Sequence, residues 1–409
     1  MMLHFIEGGV CAAQGFRAAG IHVGVKTHAA WKKDLALIAS DVDCAAAAVF
    51  TKNVVKAAPI HVDRVHLADG KARAIIANSG NANACAPQGE ENAERMCAAA
   101  AQAIGCKPED VLVSSTGVIG QTLNIQVIED GVPSLYAALD RSDAASDAAA
   151  HAIMTTDTVK KEVAVETTIG GKTVRMGGIA KGSGMIHPNM GTMLCFLTTD
   201  CAISPEMIKA ALLETVRVSF NRVSVDGDTS TNDSCIVLAN GLAGNAPITE
   251  QGADYDAFVE ALRALCVELA QRIASDGEGA RHLITCTVTG AADEAQAETV
   301  AGSVISSTLT KAAIFGADAN WGRVLCAMGY SGAEFDPEKV DVSFASAAGT
   351  VQVCAQGRGL DFDEELAKKV LTEHDVTIAI AMGEGDGCCT CWGCDITYDY
   401  IKINGDYRT

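Results

Sequence analysis

Aromatic residues, prolines and cations are all scarce in this sequence. Phenylalanine, tryptophan and tyrosine together make up 5% of the 409 residues, and there are only 8 prolines, whereas 49% of the residues are hydrophobic. So much apolar surface excludes a disordered chain and favours closely packed layers of helix and strand. Because single hydrophobic cores stop growing well below this length, we expect two lobes.

Positive charge is the second shortage. The 31 Lys and Arg residues are outnumbered by 51 Asp and Glu residues, which gives a formal net charge of -20 at pH 7. Such a field repels phosphate backbones and anionic lipid, so neither nucleic acid nor a membrane surface is an expected partner. There is no apolar run long enough to span a bilayer, and the first residues, MMLHFIEGGV, do not have the pattern of an export signal. We therefore predict a cytoplasmic globular protein, either an enzyme or a binding protein.

Cysteine, by contrast, is plentiful, with 16 residues. In a long chain without an export signal these predict reduced, mostly buried thiols rather than disulfides. Four of them crowd together at Cys388, Cys389, Cys391 and Cys394, but the sequence has no second CxxC or HxxxH pair to complete a zinc site, and neighbours along a strand point to opposite faces. We predict no metal site. A thiol-rich metal-binding protein is the alternative from another class.

Hydrophobic periodicity predicts helices and many short strands. The clearest helix is 254–275, where Phe258, Leu262 and Leu265 belong to one apolar stripe. Other helices are predicted at 90–104, 205–218 and 293–311, and strands at 44–51, 72–78, 110–115, 161–168, 172–180, 192–199, 234–240, 281–289, 340–356 and 376–382. Short turns between strands favour an α/β (α+β) fold of mixed, largely antiparallel sheets layered with helices. The glycine-rich stretch 177–191 is the best candidate for a division between lobes.

One segment suggests self-cleavage. Residues 181–194, KGSGMIHPNMGTML, form a loop punctuated by glycine and proline that runs into a predicted strand at Thr192. Gly191 puts no side chain in the way of a distorted peptide unit, and the Thr192 hydroxyl follows the carbonyl that it would attack. The freed α-amino group, with a reference pKa of about 7.7 to 8.0, could then act as the base for that hydroxyl. For Thr192 taken alone, the favoured interpretation is an ordinary threonine that opens a strand after a glycine-rich loop.

Eight segments in order along the chain resemble those of one enzyme family. They are GFRAAG (15–20), NSGNAN (78–83), STG (115–117), TTDT (155–158), KGSGMIHPNMGTML (181–194), FNRVSVDGDTSTND (220–233), NWGR (320–323) and WGCDITYDYIKINGDYRT (392–409). Together they resemble the ornithine acetyltransferases, also called bifunctional glutamate N-acetyltransferases, of arginine biosynthesis. The chain departs from the family pattern at His187 and Gly191, where alanine is usual, and at its extra thiols. His187 is either a proton shuttle or a tolerated loop residue.

The resemblance implies a reaction and an assembly. Acetyl would move from N2-acetyl-L-ornithine to L-glutamate through an ester on Thr192, without a prosthetic group, and acetyl-CoA would be a second donor in a bifunctional member. The chain would cut itself between Gly191 and Thr192 into an α chain, 1–191, and a β chain, 192–409, in an α2β2 assembly. A self-processing amidohydrolase or aminopeptidase, in which water takes the acyl group, is the alternative.

The resemblance also assigns the candidate site residues. Thr116 and Gly117 match oxyanion-stabilising positions, and the substrate-binding positions are matched by Thr155, Lys181, Thr192, Glu278, Asn404 and Thr409. Lys181 can hold a carboxylate or polarise the acyl group, and Glu278 can meet an ammonium. Asn404 and Thr409 can fix the polar end of the substrate by hydrogen bonds.

Three nearby carboxylates, Asp226, Asp228 and Asp233, raise the question of a bound cation. Closely spaced carboxylates are typical calcium or magnesium ligands, but this run lacks the glycine and terminal glutamate spacing of a calcium loop. We therefore expect these side chains to shape a loop by hydrogen bonds rather than to hold a metal.

Overall fold

A computed structural model describes residues 3–27, 31–187 and 193–406. In these ranges the strands are β1 (His4–Ile6), β2 (Phe16–Ile21), β3 (Leu35–Phe50), β4 (Lys71–Asn81), β5 (Val111–Val118), β6 (Lys161–Ile169), β7 (Lys172–Lys181), β8 (Leu194–Thr199), β9 (Val223–Ser224), β10 (Ser234–Ala239), β11 (Leu283–Ala291), β12 (Asp341–Ser346), β13 (Gly349–Ala355), β14 (Arg358–Gly359), β15 (Asp375–Ala381) and β16 (Gly387–Cys394). The helices are α1 (Ala58–His66), α2 (Gly89–Ile104), α3 (Ile125–Ala137), α4 (Asp143–Ile153), α5 (Pro205–Arg217), α6 (Ala253–Ser275), α7 (Glu294–Ser306), α8 (Thr308–Phe315), α9 (Trp321–Gly329), α10 (Glu364–Thr372) and α11 (Tyr398–Asp406).

The first sheet has nine strands and helices on both faces. Its order is β1-β6-β7-β8-β10-β3-β4-β5, with β2 paired to β3, and only the β8/β10 and β4/β5 pairs are parallel. On β8, Leu194 and Phe196 pack towards α4, whereas Cys195 and Leu197 pack towards α5 and α6. A sheet covered on both faces needs nearly continuous apolar strands, which explains why every residue of β8 is buried.

The second sheet has seven strands in the order β14-β13-β12-β15-β11-β16-β9. Its apolar face packs against α7, α8, α9 and α10. Helix α6 contacts β6 and β7 of the first sheet and also β11 and β16 of the second. The prediction of mixed, largely antiparallel sheets in two lobes is therefore confirmed, with α6 packed between the lobes.

The predicted division between the lobes at 177–191 is wrong. Strand β7 ends at Lys181, and β8 pairs with it in antiparallel register, with Lys181 opposite Leu194. The glycine-rich stretch therefore connects two neighbouring strands of the first sheet. Glycine here signals close packing of that sheet against the segment between β1 and β2, because a Cβ on Gly177 would lie 1.8 Å from the Gly9 carbonyl oxygen.

The two longest helices, α6 and α2, were predicted correctly, whereas several shorter elements were missed. Helix α6 agrees with the predicted 254–275. The predicted helix 293–311 is divided at Ser307, whose hydroxyl caps the start of α8 by accepting from the Thr310 N–H. The predicted strand 340–356 is a hairpin of β12 and β13. The elements that sequence reasoning missed are β1, β2, β9, β14, β16, α1, α3, α4, α9, α10 and α11.

The cysteines carry free thiols, as predicted. On β16, Cys388 is exposed whereas Cys389 and Cys391 are buried, so neighbours do point to opposite faces. Within the described ranges no group of three or more His, Cys, Asp or Glu side chains could hold a metal ion. None of the helices described combines the length and the apolar character needed to cross a bilayer.

Candidate active site

The candidate site lies where β5 and β7 end. Thr116 is on β5 and Lys181 is the last residue of β7, and both side chains are buried. The Lys181 Nζ atom lies 3.4 Å from the Thr116 hydroxyl oxygen. Two residues from distant parts of the sequence thus meet, as their shared assignment to one site requires.

Gly117 owes its place to the tight pairing of β4 with β5. It lies opposite Gly80 in parallel register, with φ at 133°. A Cβ there would lie 2.3 Å from the Gly80 carbonyl carbon, so both the conformation and the space require glycine. The backbone at the predicted oxyanion position is therefore held by sheet geometry.

Glu278 follows the end of α6 and is brought against the loop after β7. Its N–H donates to the Ser183 carbonyl at 3.0 Å. Its carboxylate accepts from Asn404 Nδ2 on α11 at 2.8 Å, which brings together two residues predicted to share a site. A Cβ on Gly184 would lie 2.5 Å from the Glu278 carboxyl carbon, so the absence of a side chain at Gly184 leaves room for this carboxylate.

A buried ion cluster joins these residues. Lys161, with no exposed surface, places Nζ 2.7 Å from Asp157 Oδ1 and 2.6 Å from Asp276 Oδ2. The other Asp157 oxygen lies 4.0 Å from Lys181 Nζ and accepts from the Thr155 N–H at 3.0 Å. Thr155 is thus linked to Lys181 through a carboxylate.

The cluster controls the charges at the site. Burial lowers the pKa of Lys181, although Asp157, Glu278 and Asp233 oppose that shift. Burial by itself would raise the pKa of Asp157, but Lys161 and Lys181 together hold it below its usual range. At neutral pH Asp157 is therefore ionised, and its charge favours the charged form of Lys181 against the effect of burial.

Comparisons with known proteins point to one family. Residues 17–409 match the model of the ArgJ family. The chain belongs to the ArgJ family. The arginine biosynthesis bifunctional protein ArgJ of Symbiobacterium thermophilum is 50% identical over 408 residues, covering 100% of both chains. ArgJ 1 of Clostridium acetobutylicum is 49% identical over 395 residues, covering 96% of both.

A solved structure is also similar. The crystal structure of the ArgJ protein from Bacillus halodurans is 44% identical and covers 52% of this chain and 98% of its own, with a TM-score of 0.49. As the resemblance implied, this ArgJ-family chain is an acyltransferase of arginine biosynthesis.

Two of the three aspartates after β9, Asp226 and Asp233, shape the loop that follows β7, as predicted. The N–H of the third, Asp228, donates to Asp226 Oδ1 at 3.2 Å. Asp226 accepts from the N–H groups of Met185 and Ile186, at 2.6 and 3.0 Å. Asp233 accepts from the Met193 N–H at 2.8 Å, and burial raises its pKa well above the usual range. Both ends of the loop are therefore held by carboxylates of the segment between β9 and β10.

His187 also contacts that segment. Its Nδ1 lies 3.1 Å from the Ser224 hydroxyl, and burial of the half-exposed ring lowers its pKa. The imidazole is therefore neutral at pH 7, which leaves both of its predicted interpretations open.

Not every candidate residue lies in the described part of the chain. Gly191, Thr192 and Thr409 are outside it, and so is the predicted cleavage site. Thr116, Gly117, Thr155, Lys181, Glu278 and Asn404 are described, and the contacts above join them. Sequence reasoning missed the ion cluster, although TTDT and SDGEGAR contain two of its members, Asp157 and Asp276.

Proposed function

We propose that this ArgJ-family enzyme transfers the acetyl group of N2-acetyl-L-ornithine to L-glutamate and releases ornithine and N-acetylglutamate. The observation that carries the proposal is the meeting of Lys181, Thr116 and Glu278 in one site, with Asn404 on the Glu278 carboxylate. N-acetylornithine has a carboxylate, an amide and a side-chain ammonium. A buried cation and a carboxylate, together with hydrogen-bonding groups in the same site, complement those features.

The proposed nucleophile is the hydroxyl of Thr192. It attacks the acetyl carbonyl, and its proton passes through the Thr192 amine to the departing amine of ornithine as the carbon–nitrogen bond breaks. Thr116 and Gly117 stabilise the oxyanion. In the second half, the amine of glutamate attacks the ester, takes the acetyl group and returns the proton to Thr192.

The nucleophile is proposed to arise by self-cleavage between Gly191 and Thr192. The products would be an α chain, 1–191, and a β chain, 192–409, in an α2β2 assembly. Pairing of β7 with β8 supports their continued association, because the two strands lie on either side of the cut within one sheet. The free thiols support a cytoplasmic location.

A paired assay tests the reaction. Glutamate is offered with either acetylornithine or acetyl-CoA, and N-acetylglutamate and acetate are both measured. We expect N-acetylglutamate from acetylornithine, and its formation from acetyl-CoA would show a bifunctional enzyme. Acetate without N-acetylglutamate would favour the amidohydrolase alternative, in which water outcompetes the second amine.

The ester intermediate has its own test. Enzyme mixed with acetylornithine alone is quenched in acid, and the peptide that begins at Thr192 is searched by mass for an added acetyl group. Parallel double-reciprocal lines are expected from two half-reactions. Intersecting lines with no acetylated peptide would indicate direct transfer in a ternary complex.

A further inference from the structure

Lys161 is a fully buried lysine on β6, and its contribution to packing does not explain why a charged residue stands there. Its ammonium is removed from water and is held by Asp157 and Asp276. Buried ion pairs contribute little net stability compared with apolar residues of the same volume, because desolvation offsets their attraction. A buried lysine between two aspartates therefore calls for an explanation beyond packing.

Each of the two aspartates also contacts a different part of the candidate site. Asp157 accepts from the N–H of Gly182 at 2.7 Å, next to Lys181, in addition to its contact with Lys181 itself. These contacts fix the end of β7, where Lys181 lies. On this side the cluster holds the cation that we propose binds the substrate carboxylate.

The second aspartate, Asp276, is connected through Ser183 to Glu278, whose carboxylate we propose binds the substrate ammonium. The backbone carbonyl of Asp276 accepts from the Ser183 hydroxyl at 2.6 Å. The Ser183 carbonyl in turn accepts from the Glu278 N–H at 3.0 Å. The Asp276 carboxylate also accepts from the N–H of Thr158 at 3.1 Å. Ion pairs thus connect Lys181 with Asp276 through Asp157 and Lys161. Hydrogen bonds accepted by the backbone carbonyls of Asp276 and Ser183 continue the connection to the backbone N–H of Glu278.

We propose that Lys161 is a positioning residue that sets the separation between Lys181 and Glu278, and thereby the length of the N-acetylated diamino acid that the site accepts. This inference rests on the proposed function. Lys161 and Lys181 precede the proposed cut, whereas Asp276 and Glu278 follow it. After cleavage the cluster is a non-covalent connection that joins the two halves of the site.

The measured quantity is the preference for acetylornithine over a longer substrate, which would not change if Lys161 had a merely structural role. N2-acetyl-L-lysine is one methylene longer than N2-acetyl-L-ornithine, and one methylene in a fitted site is worth about 10- to 200-fold in kcat/KM. We expect the parent enzyme to prefer acetylornithine within that range. Lys161→Met removes the ammonium while retaining most of the apolar length of the side chain.

In Lys161→Met we expect kcat/KM for acetylornithine to fall by about 100-fold, the scale for a 1 Å misplacement, mainly through KM. The preference over acetyllysine should fall towards unity. The matched control is Lys311→Met, because Lys311 is equally buried and its ammonium contacts only the carbonyls of Ser224 and Cys394, at 3.2 and 2.6 Å, among the hydrogen bonds described. This control should lose thermal stability and keep the parental preference.

Asp276→Asn is the second variant, since it retains the shape of the side chain while weakening its hold on Lys161. The proposal is supported if either folded variant shows a smaller preference for acetylornithine over acetyllysine while Lys311→Met keeps the parental preference. Parental KM and preference in every variant that folds would overturn it, and so would failure of both variants to fold, because the cluster would then hold the fold rather than the site. Failure of the proposed function itself would be seen separately, as a parent enzyme that makes no N-acetylglutamate.

Discussion

At the scale of single residues, the Thr116 hydroxyl is the described group whose loss should most directly affect chemistry. Donors to a developing oxyanion act in a site from which water is excluded, so removing one commonly costs about 100- to 1000-fold in kcat. We expect Thr116→Ala to fall in that range in a steady-state transfer assay, and to fall by less if the Gly117 N–H supplies most of the stabilisation.

The control for Thr116→Ala is Ser114→Ala. Ser114 is buried two residues earlier on the same strand, and its hydroxyl has no hydrogen-bond partner among the residues described. Its removal should leave turnover unchanged. Equal losses in both variants would mean that strand packing, rather than the Thr116 hydroxyl, was being measured.

Asp63 should make stability depend on pH. Its side chain is buried, one oxygen accepts from the Val113 N–H at 2.7 Å, and burial raises its pKa well above the usual range. The folded state therefore keeps this proton while the unfolded state loses it above about pH 4, so stability falls as pH rises. Asp63→Asn cannot titrate, and its advantage over the parent should grow by up to about 1.4 kcal/mol per pH unit.

Denaturant unfolding at pH 4, 6 and 8 measures that difference. The exposed Asp361→Asn serves as the control and should show no such trend. An advantage of Asp63→Asn that shrinks with rising pH would contradict the direction assigned to the pKa of Asp63.

At the scale of elements, the loop after β7 is fitted to Glu278 through Gly184. An alanine there would place its Cβ 2.5 Å from the Glu278 carboxyl carbon. The end of a glutamate side chain can move at little cost, so Gly184→Ala should keep its melting temperature while the carboxylate leaves Asn404. We expect KM for acetylornithine to rise about tenfold, from the loss of one charge-assisted contact.

Gly302→Ala is the matched control for Gly184→Ala. Gly302 lies in α7 with no atom within 4 Å of an added Cβ, so alanine should stabilise the helix by up to about 1 kcal/mol and leave KM unchanged. A large loss of melting temperature in Gly184→Ala would show that the glycine supports the fold rather than the placement of Glu278.

At the scale of the whole molecule, the proposed self-cleavage predicts the number of chains and their masses. Denatured mature protein should give two masses, for residues 1–191 and 192–409, and Thr192→Ala should give one uncut chain because no hydroxyl is left to attack. Thr192→Ser retains the hydroxyl and should still cut. An active preparation with a single full-length mass would contradict the processing proposal.

The association of the two chains follows from the sheet. The predicted cut falls in the connection between β7 and β8, and β8 is also paired with β10, so the first sheet contains strands from both chains. Native mass measurement should give an α2β2 species with no free single chain. Separation of the chains under native conditions would contradict this prediction.

The sequence by itself determined the fold class, the long helix and the family. Helix 254–275 could be predicted because its apolar residues recur at helical spacing, and the family because its segments are long and in order. Strand β16, with the sequence GCCTCWGC, contains two glycines and no alternation of apolar and polar residues, although Thr390 and Trp392 favour a strand. Its structure is fixed by the strands beside it.

Only the tertiary structure decided which residues complete the site. Thr116, Lys181 and Glu278 could be assigned from motifs, but Lys161 opens an ordinary strand and has no local signal. Its partners, Asp157 and Asp276, lie 4 and 115 residues away along the chain. Because a buried charge is costly unless it is paired, burial of Lys161 requires its contacts with both aspartates. The spacing of these residues in the sequence does not show that Lys161 is buried, so the ion cluster could not be predicted.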